Sequence, residues 1–281
     1  MRVLITGGGG QVGKALSRAL SPQHEVIAPS SASLDITRRS APDIVAAARP
    51  DIVIHGAAWT DVDGCARDPD RALTVNGLGT WHMALACRHL DIPLVYISTN
   101  EVFDGTATEP YLEWDEPHPI NPYARSKYVG EQYVRALLQR FYLVRVAWVF
   151  GGERNFVRTI LRLASERERL TVVDDEIGNP TYAEDIAAAV RSLIAEPAYG
   201  IFHLVNEGHC SRFEFAREIL RQAGIEHVAV EPIKLRDYRR ASTPPPFTPL
   251  RNFAAATSLG IKLPPWEDAL ARFLRTQHPS A

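Results

Sequence analysis

The β-branched apolar run Arg2-Val3-Leu4-Ile5-Thr6 breaks off at Gly7-Gly8-Gly9-Gly10-Gln11-Val12-Gly13, and Lys14 to Leu20 then carries helical periodicity. Strand, glycine turn and helix in immediate succession leave few architectures open. Gly7, Gly10 and Gly13 stand at GxxGxxG spacing. The first serves a tight turn, the second lets a pyrophosphate approach the backbone, and the third permits close helix–strand packing, with the helix N-terminus facing the phosphates. A lone glycine-rich turn is weak evidence, but its place between a buried strand and a helix makes it a dinucleotide-binding turn.

The same alternation continues. A second strand, His24-Glu25-Val26-Ile27-Ala28, ends in Pro29-Ser30-Ser31 instead of the acidic residue that commonly binds adenosine ribose hydroxyls in NAD sites. A 2′-phosphate is then tolerable, with Ser30, Ser31, Arg38 and Arg39 as partners, which favours NADPH with NADH as the alternative. Leu34-Asp35-Ile36-Thr37 leads into a helix over about 38 to 48. Asp51 to His55 is a third apolar strand, ending in Gly56-Ala57-Ala58, small residues against which a cofactor can lie. One long helical stretch is predicted over about 69 to 90. The fourth strand, Leu94 to Ile97, delivers Ser98-Thr99 to its carboxyl end, where doubly wound sheets bind ligands. Tyr142 to Val146 is a further strand and delivers Trp148. Strands that alternate with helices over residues 1 to 150 imply a parallel sheet covered on both faces, because such apolar runs must be buried twice.

Asn121-Pro122-Tyr123-Ala124-Arg125-Ser126-Lys127 carries the chemistry. In a helix over 123 to 139, Tyr123 and Lys127 stand one turn apart on one face. Of the nine tyrosines, this is the only one with a lysine four residues on. A free phenol has a pKa near ~10 and is a sluggish acid at neutral pH unless a cation stabilises its anion. Lys127 is placed to supply that cation.

After residue 150 the rhythm changes. A helix at about 154 to 168 precedes the strand Leu170 to Val173 and the turn Asp174-Asp175, and a strand is expected at Gly200 to Val205. Thr181-x-x-Glu184 and Ser211-x-x-Glu214 have capping-box spacing and predict helices at about 182 to 196 and 212 to 223. Thr243 to Pro249, with four prolines, is a rigid loop rather than a helix. Trp266 to Leu274 forms a last helix. The domains expected are a dinucleotide-binding unit over 1–150, which also receives part of 178–200, and a smaller substrate lobe over 151–281.

A net charge of −2 without a Lys/Arg stripe argues against nucleic acid or an anionic membrane as the main partner. Cys65, Cys87 and Cys210 are odd in number and far apart, in no CxxC pattern, so neither a disulfide framework nor a zinc site is indicated. His55, His82, His89 and His118 form no metal-ligand spacing, and no metal is expected. Val3-Leu4-Ile5 is too short for a signal peptide and no apolar run spans a bilayer, so the expected compartment is the cytoplasm.

These motifs, with Gly56 to Asp63, Ser98-Thr99-Asn100-Glu101-Val102-Phe103-Asp104-Gly105, Arg145 to Gly151 and Val172 to Thr181, resemble the extended short-chain dehydrogenase/reductases, and within them the dTDP-4-dehydrorhamnose reductases. The similarity runs from residue 1 to about 185 and resumes at Leu263 to Leu270. It implies a Rossmann fold with a C-terminal substrate lobe. The implied reaction is NADPH- or NADH-dependent reduction of the C4 ketone of a nucleotide-linked 6-deoxyhexose. By matching position, Thr99 hydrogen-bonds the sugar carbonyl, Tyr123 protonates it, and Lys127 holds the nicotinamide ribose and lowers the phenol's pKa. Gly10, Gln11 and Val12 bind the pyrophosphate, and Asp35 and Ile36 the adenine. Ala57, Ala58, Trp59, Thr60 and Ile97 flank the middle of the cofactor, and Asn100 and Trp148 touch the sugar. A homodimer is compatible with the resemblance. Two departures stand out: the family's usual STDYVF reads Ser98-Thr99-Asn100-Glu101-Val102-Phe103, and its arginine-proline segment is replaced by Pro246 to Asn252. Competing readings are a non-catalytic dinucleotide-binding regulatory subunit and a nucleotide-sugar epimerase or dehydratase on the same fold.

Overall fold

A computed structural model describes residues 1 to 277. Apolar residues that alternate between two faces set the main sheet. β1 (Arg2–Thr6), β2 (Glu25–Ile27), β3 (Ile52–His55), β4 (Leu94–Thr99) and β5 (Phe141–Val146) are parallel neighbours. Val3, Ile5, Ile52, Ile54, Val95 and Val144 point to one face and Leu4, Val53, Leu94, Tyr96 and Leu143 to the other, and both sets are buried. α1 (Gln11–Leu20) lies on the first face. α2 (Ala41–Ala48) lies on the second.

The predicted helix over 69 to 90 is interrupted. After α3 (Val62–Arg67), it divides into α4 (Pro69–Ala72), a π-helical turn at Leu73–Leu78 and α5 (Gly79–Leu90). Periodicity alone does not separate α from π hydrogen bonding, because the two differ by one residue per turn. The wide turn carries Asn76, whose role appears below. α6 (Pro122–Leu137) then packs beside α5.

Beyond residue 148 the chain forms β6 (Val149–Phe150), α7 (Phe156–Glu166), β7 (Arg169–Val173), β8 (Ile177–Gly178), β9 (Thr181–Tyr182) and α8 (Ala183–Leu193). It re-enters the large sheet as β10 (Gly200–His203), parallel to β5, which completes the order β10-β5-β4-β3-β1-β2. The order reverses at β1, so the crevice where doubly wound sheets bind ligands opens between the ends of β1 and β3. The fold is thus the Rossmann-like α/β sheet expected from the strand–helix alternation.

The remaining elements are β11 (Cys210–Ser211), α9 (Arg212–Gln222), β12 (Ala229–Ile233), α10 (Phe253–Leu259) and α11 (Trp266–Gln277). A second core of Phe150, Ile160, Tyr182, Phe215, Trp266 and Phe273 holds α7, α9 and α11 together.

One of the two capping boxes forms. Ser211 Oγ accepts the Glu214 N–H at 3.0 Å while Glu214 Oε2 accepts the Ser211 N–H at 2.7 Å. The other does not. α8 starts one residue later than a Thr181 cap requires; Thr181 donates to the Asn179 carbonyl, and Glu184 reaches across to Arg18 on α1. A charge partner on a neighbouring helix outcompeted the local cap. Sequence patterning also missed β12, which is mostly exposed but pairs in parallel with β7, and α10.

Candidate active site

The glycine turn is packed so tightly that side chains are excluded. Gly7 has φ +73°, and a Cβ there would lie 2.7 Å from the Ala57 nitrogen. At Gly13 a Cβ would meet the Gly7 carbonyl oxygen at 2.2 Å. Gly10 caps α1 without any side-chain hydrogen bond, so the first N–H groups of the helix face the crevice. This is the donor chemistry and the close backbone approach that a dinucleotide pyrophosphate needs, and the turn fits such a group.

Two adjoining cavities run from this turn. One, of about 470 Å³, is lined by Gly7, Gly10, Ser30, Ser31, Asp35, Ile36, Ala57 and Ala58 among others. The second, of about 600 Å³, has Gly7, Gly10, Gln11, Val12, Gly13, Ala57, Ala58, Thr60 and Ile97 on its cofactor side. Thr99, Asn100, Glu101, Tyr123, Lys127, Trp148 and Arg212 line its far side.

Two expectations at the cofactor side need correction. Trp59 lines neither cavity: Asn76 occupies its backbone N–H and carbonyl at 2.7 and 3.1 Å, and its indole lies under the Arg71 guanidinium at 4.4 Å. Arg38 and Arg39 do not line the first cavity, and Arg38 instead pairs with Asp35 at 3.3 Å. Asp35 and Ile36 do line the first cavity, and the Asp35 carboxylate accepts the Thr37 hydroxyl at 2.7 Å and the Thr37 N–H at 3.0 Å, bonds that hold its pKa below the usual aspartate value.

Tyr123 and Lys127 owe their positions to the start of α6. Asn121 caps the helix, its Oδ1 accepting the Ala124 N–H at 2.9 Å, and Pro122 stands in the first turn. Ser126, between Tyr123 and Lys127, is fully buried and accepts from Asn76 Nδ2 at 2.9 Å. The π-helical turn thereby braces α6 between those two residues. Gly130 lets α6 press onto the sheet, since a Cβ there would meet the Tyr96 hydroxyl at 2.4 Å.

Lys127 is buried; its Nζ donates to the Ile97 carbonyl at 2.7 Å and lies 4.3 Å from the centre of the Tyr96 ring. Burial pulls its pKa down to about 7, against a smaller opposing pull from Glu131. The Tyr123 phenol is pushed well above its ordinary value, by burial first and then by the nearby Glu101 carboxylate, while a hydrogen bond with Thr99 acts the other way. The acidified phenol expected from the Tyr–Lys spacing is therefore not a property of the protein groups alone. Desolvation dominates, and the Lys127 ammonium is directed at a backbone carbonyl.

Thr99 ends β4, with its hydroxyl accepting the Glu101 N–H at 3.2 Å. Asn100 lines the cavity, but its amide donates to Thr248 Oγ1 at 2.6 Å and so ties the proline-rich loop to the site. That loop is non-helical, as its composition requires, and it is anchored by bridges at Phe247 and Leu250. Trp148 adopts φ +39°, a conformation that costs on the order of 1–3 kcal/mol for a residue other than glycine. Gly178 makes room for its indole, and the Arg212 guanidinium stacks on it at 3.5 Å.

Arg212 also borders a third cavity of about 450 Å³, lined by Phe156, Leu163, Val173, Glu176, Tyr238 and Arg240. Val173 and Glu176 fall in the Val172–Thr181 motif, but no site role was read for any of the six from the sequence, because they come together from separate elements only in the fold. Of the four histidines without metal-ligand spacing, His55 is buried between Thr6 and Thr80, and burial pushes its pKa down to about 3; His82 bonds the Ile36 carbonyl; His89 and His118 are exposed. Among the described residues no cluster of three or more His, Cys, Asp or Glu is arranged to hold a metal ion, and no helix is long and apolar enough to cross a membrane.

Comparison with known proteins places this geometry in context. The chain is 38% identical over 277 residues to the spore coat polysaccharide biosynthesis protein SpsK of Bacillus subtilis, covering 98% of this chain and 97% of that one. It is 38% identical over 276 residues to the dTDP-4-dehydrorhamnose reductase of Mycolicibacterium smegmatis, covering 96% and 84% of the two chains. The solved dTDP-4-dehydrorhamnose reductase of Bacillus anthracis in complex with NADP superposes with a TM-score of 0.95 at 38% identity, over 98% of this chain and 99% of that one. The family profile described as RmlD substrate binding domain matches residues 1–278, and the chain belongs to that family.

Proposed function

We propose that the protein reduces the C4 ketone of a dTDP-linked 4-keto-6-deoxyhexose with NADPH. The observation that carries this reading is that Thr99, Tyr123 and Lys127 share one cavity with the Gly7–Gly13 turn, so a proton donor and a dinucleotide cradle face the same space. The name of the Mycolicibacterium relative, and the NADP bound by the Bacillus anthracis protein, support the substrate class and the cofactor.

When bound, the nicotinamide supplies the hydride. The chain's own groups do the rest. Thr99 and Tyr123 donate hydrogen bonds to the carbonyl oxygen, and Tyr123 delivers its proton as negative charge develops there. A phenol held protonated by burial is an effective donor to such an oxyanion. Lys127, fixed on the Ile97 carbonyl, stands one turn below to stabilise the phenolate that results. The third cavity suits the nucleotide: Arg212 and Arg240 face the diphosphate, and Phe156, Leu163 and Val173 offer an apolar wall to the base. The N-terminal half serves as the dinucleotide unit and most of the C-terminal half as the substrate lobe. The protein acts in the cytoplasm.

The test is NADPH oxidation with a dTDP-4-keto-6-deoxysugar generated in situ. Removing one positioned oxyanion donor costs about 100- to 1000-fold in kcat, and Tyr123→Phe should lose at least that much with the fold intact. Wild-type turnover by Tyr123→Phe would show that the proton comes from elsewhere.

A further inference from the structure

One acidic side chain in the second cavity has no part in the reduction. Glu101 follows Thr99 by two residues, in the 3-10 turn Asn100–Val102. Its Oε2 accepts Asn121 Nδ2 at 2.8 Å, and Asn121 is also the cap that starts the Tyr123 helix. Glu101 is thus locked beside both Thr99 and Tyr123, close enough for its charge to raise the phenol's pKa. Two guanidinium groups are near, but each is engaged elsewhere: Arg212 with Glu176 at 3.0 Å and Arg240 with Asp63 at 3.2 Å. Among the described residues Glu101 forms no ion pair, and only one of its two oxygens is hydrogen-bonded. A carboxylate that lines a reaction cavity without a cation is costly to keep there. Burial, with Glu176 adding to it, raises its pKa above the ordinary glutamate value.

We propose that Glu101 is a general base toward the carbon adjacent to the ketone, so that the protein exchanges α-hydrogens of its keto sugar with solvent. This deepens the reductase reading and rests on it. The carboxylate takes the proton from the α-carbon, and the C–H electron pair becomes the C=C bond of an enol. The carbonyl π pair moves onto oxygen, where Thr99 donates a hydrogen bond and Tyr123 gives a proton. In reverse, the phenolate recovers its proton and a solvent-exchanged Glu101 protonates carbon. No oxidant or reductant is consumed. A carboxylate base that shares a site with hydrogen-bond donors to the developing oxyanion is a workable arrangement for abstracting such protons.

The experiment follows the α-hydrogen signals of dTDP-4-keto-6-deoxyglucose by proton NMR in D2O with the full-length protein and no nicotinamide. NADPH oxidation on the same sugar is measured separately. The wild-type protein should exchange at least about tenfold faster than buffer. In Glu101→Gln the ratio of exchange to NADPH oxidation should fall by at least about tenfold, and Glu101→Asp should recover part of it. A merely bracing role for Glu101 would lower both rates together and leave the ratio unchanged, which overturns the proposal. Wild-type protein that oxidises NADPH but exchanges nothing overturns it too, and leaves the reductase reading standing. Protein that does neither removes both. If circular dichroism shows Glu101→Gln unfolded, Glu101→Asp decides: its shorter reach must lower the ratio, and an unchanged ratio refutes the base.

Discussion

Replacing Lys127 with methionine should abolish turnover while making the protein more stable at neutral pH. Burial lowers the Lys127 pKa from the ordinary 10.5 to about 7. Each tenfold loss of proton affinity corresponds to about 1.4 kcal/mol, so carrying the ammonium in the folded state costs on the order of 5 kcal/mol. Methionine has similar length and no charge, but it leaves the Ile97 carbonyl without the donor now 2.7 Å away, which costs about 1–3 kcal/mol. The balance is a gain of about 2–4 kcal/mol, or roughly 4–15 °C in Tm for a chain of this size. The pH dependence carries the sign. Because the folded-state pKa is depressed, the unfolded chain binds the extra proton between about pH 7 and 10.5, and wild-type stability rises with pH across that window. The advantage of Lys127→Met should therefore be full at and below about pH 7 and shrink steadily toward pH 10.5. Paired thermal melts at pH 6, 8 and 10, monitored by circular dichroism, measure it, and groups common to both proteins cancel in the difference. A variant less stable than wild type at pH 6, or a difference flat from pH 6 to 10, would refute the reasoning.

Two further outcomes follow from packing. Gly13→Ala places a methyl group 2.2 Å from the Gly7 carbonyl oxygen and must push α1 off the turn, so NADPH binding by fluorescence titration should weaken by at least about tenfold, with a loss of about 1–3 kcal/mol in urea melts. Gly9→Ala, with nothing within 4 Å of its Cβ, should melt like wild type. Arg145 and Glu131 form a fully buried ion pair at 2.8 Å, with Ser98 donating to the same carboxylate, and Arg145→Met should cost about 3–5 kcal/mol because it strands the glutamate charge. Stability within about 1 kcal/mol of wild type would refute the stranded-charge argument.

The local requirements of the fold were open to reading. Apolar runs such as Val3 to Ile5 and Ile52 to Ile54 need two covered faces wherever they occur, and a glycine turn between strand and helix has few uses. The spacing of Tyr123 and Lys127 is a helix property and survives any arrangement of helices. What failed were the features decided by competition between distant groups. Glu184 was free to cap α8 until α1 brought Arg18 to it. Trp59 was expected to flank the cofactor until Asn76 took its backbone and Arg71 its ring.

The chain's covalent order therefore determined the strand–helix alternation, the glycine turn at Gly7–Gly13 and the one-turn spacing of Tyr123 and Lys127, since each rests on spacings of a few residues. Only the tertiary structure decided the protonation of that pair. Whether a phenol beside a lysine is acidic depends on its burial and on the charge of Glu101, more than twenty residues away in sequence, and here both push the Tyr123 phenol upward while burial pulls Lys127 down. The same holds for Arg212 and Arg240, which reach the site from elements whose local patterns announce only a helix and a loop.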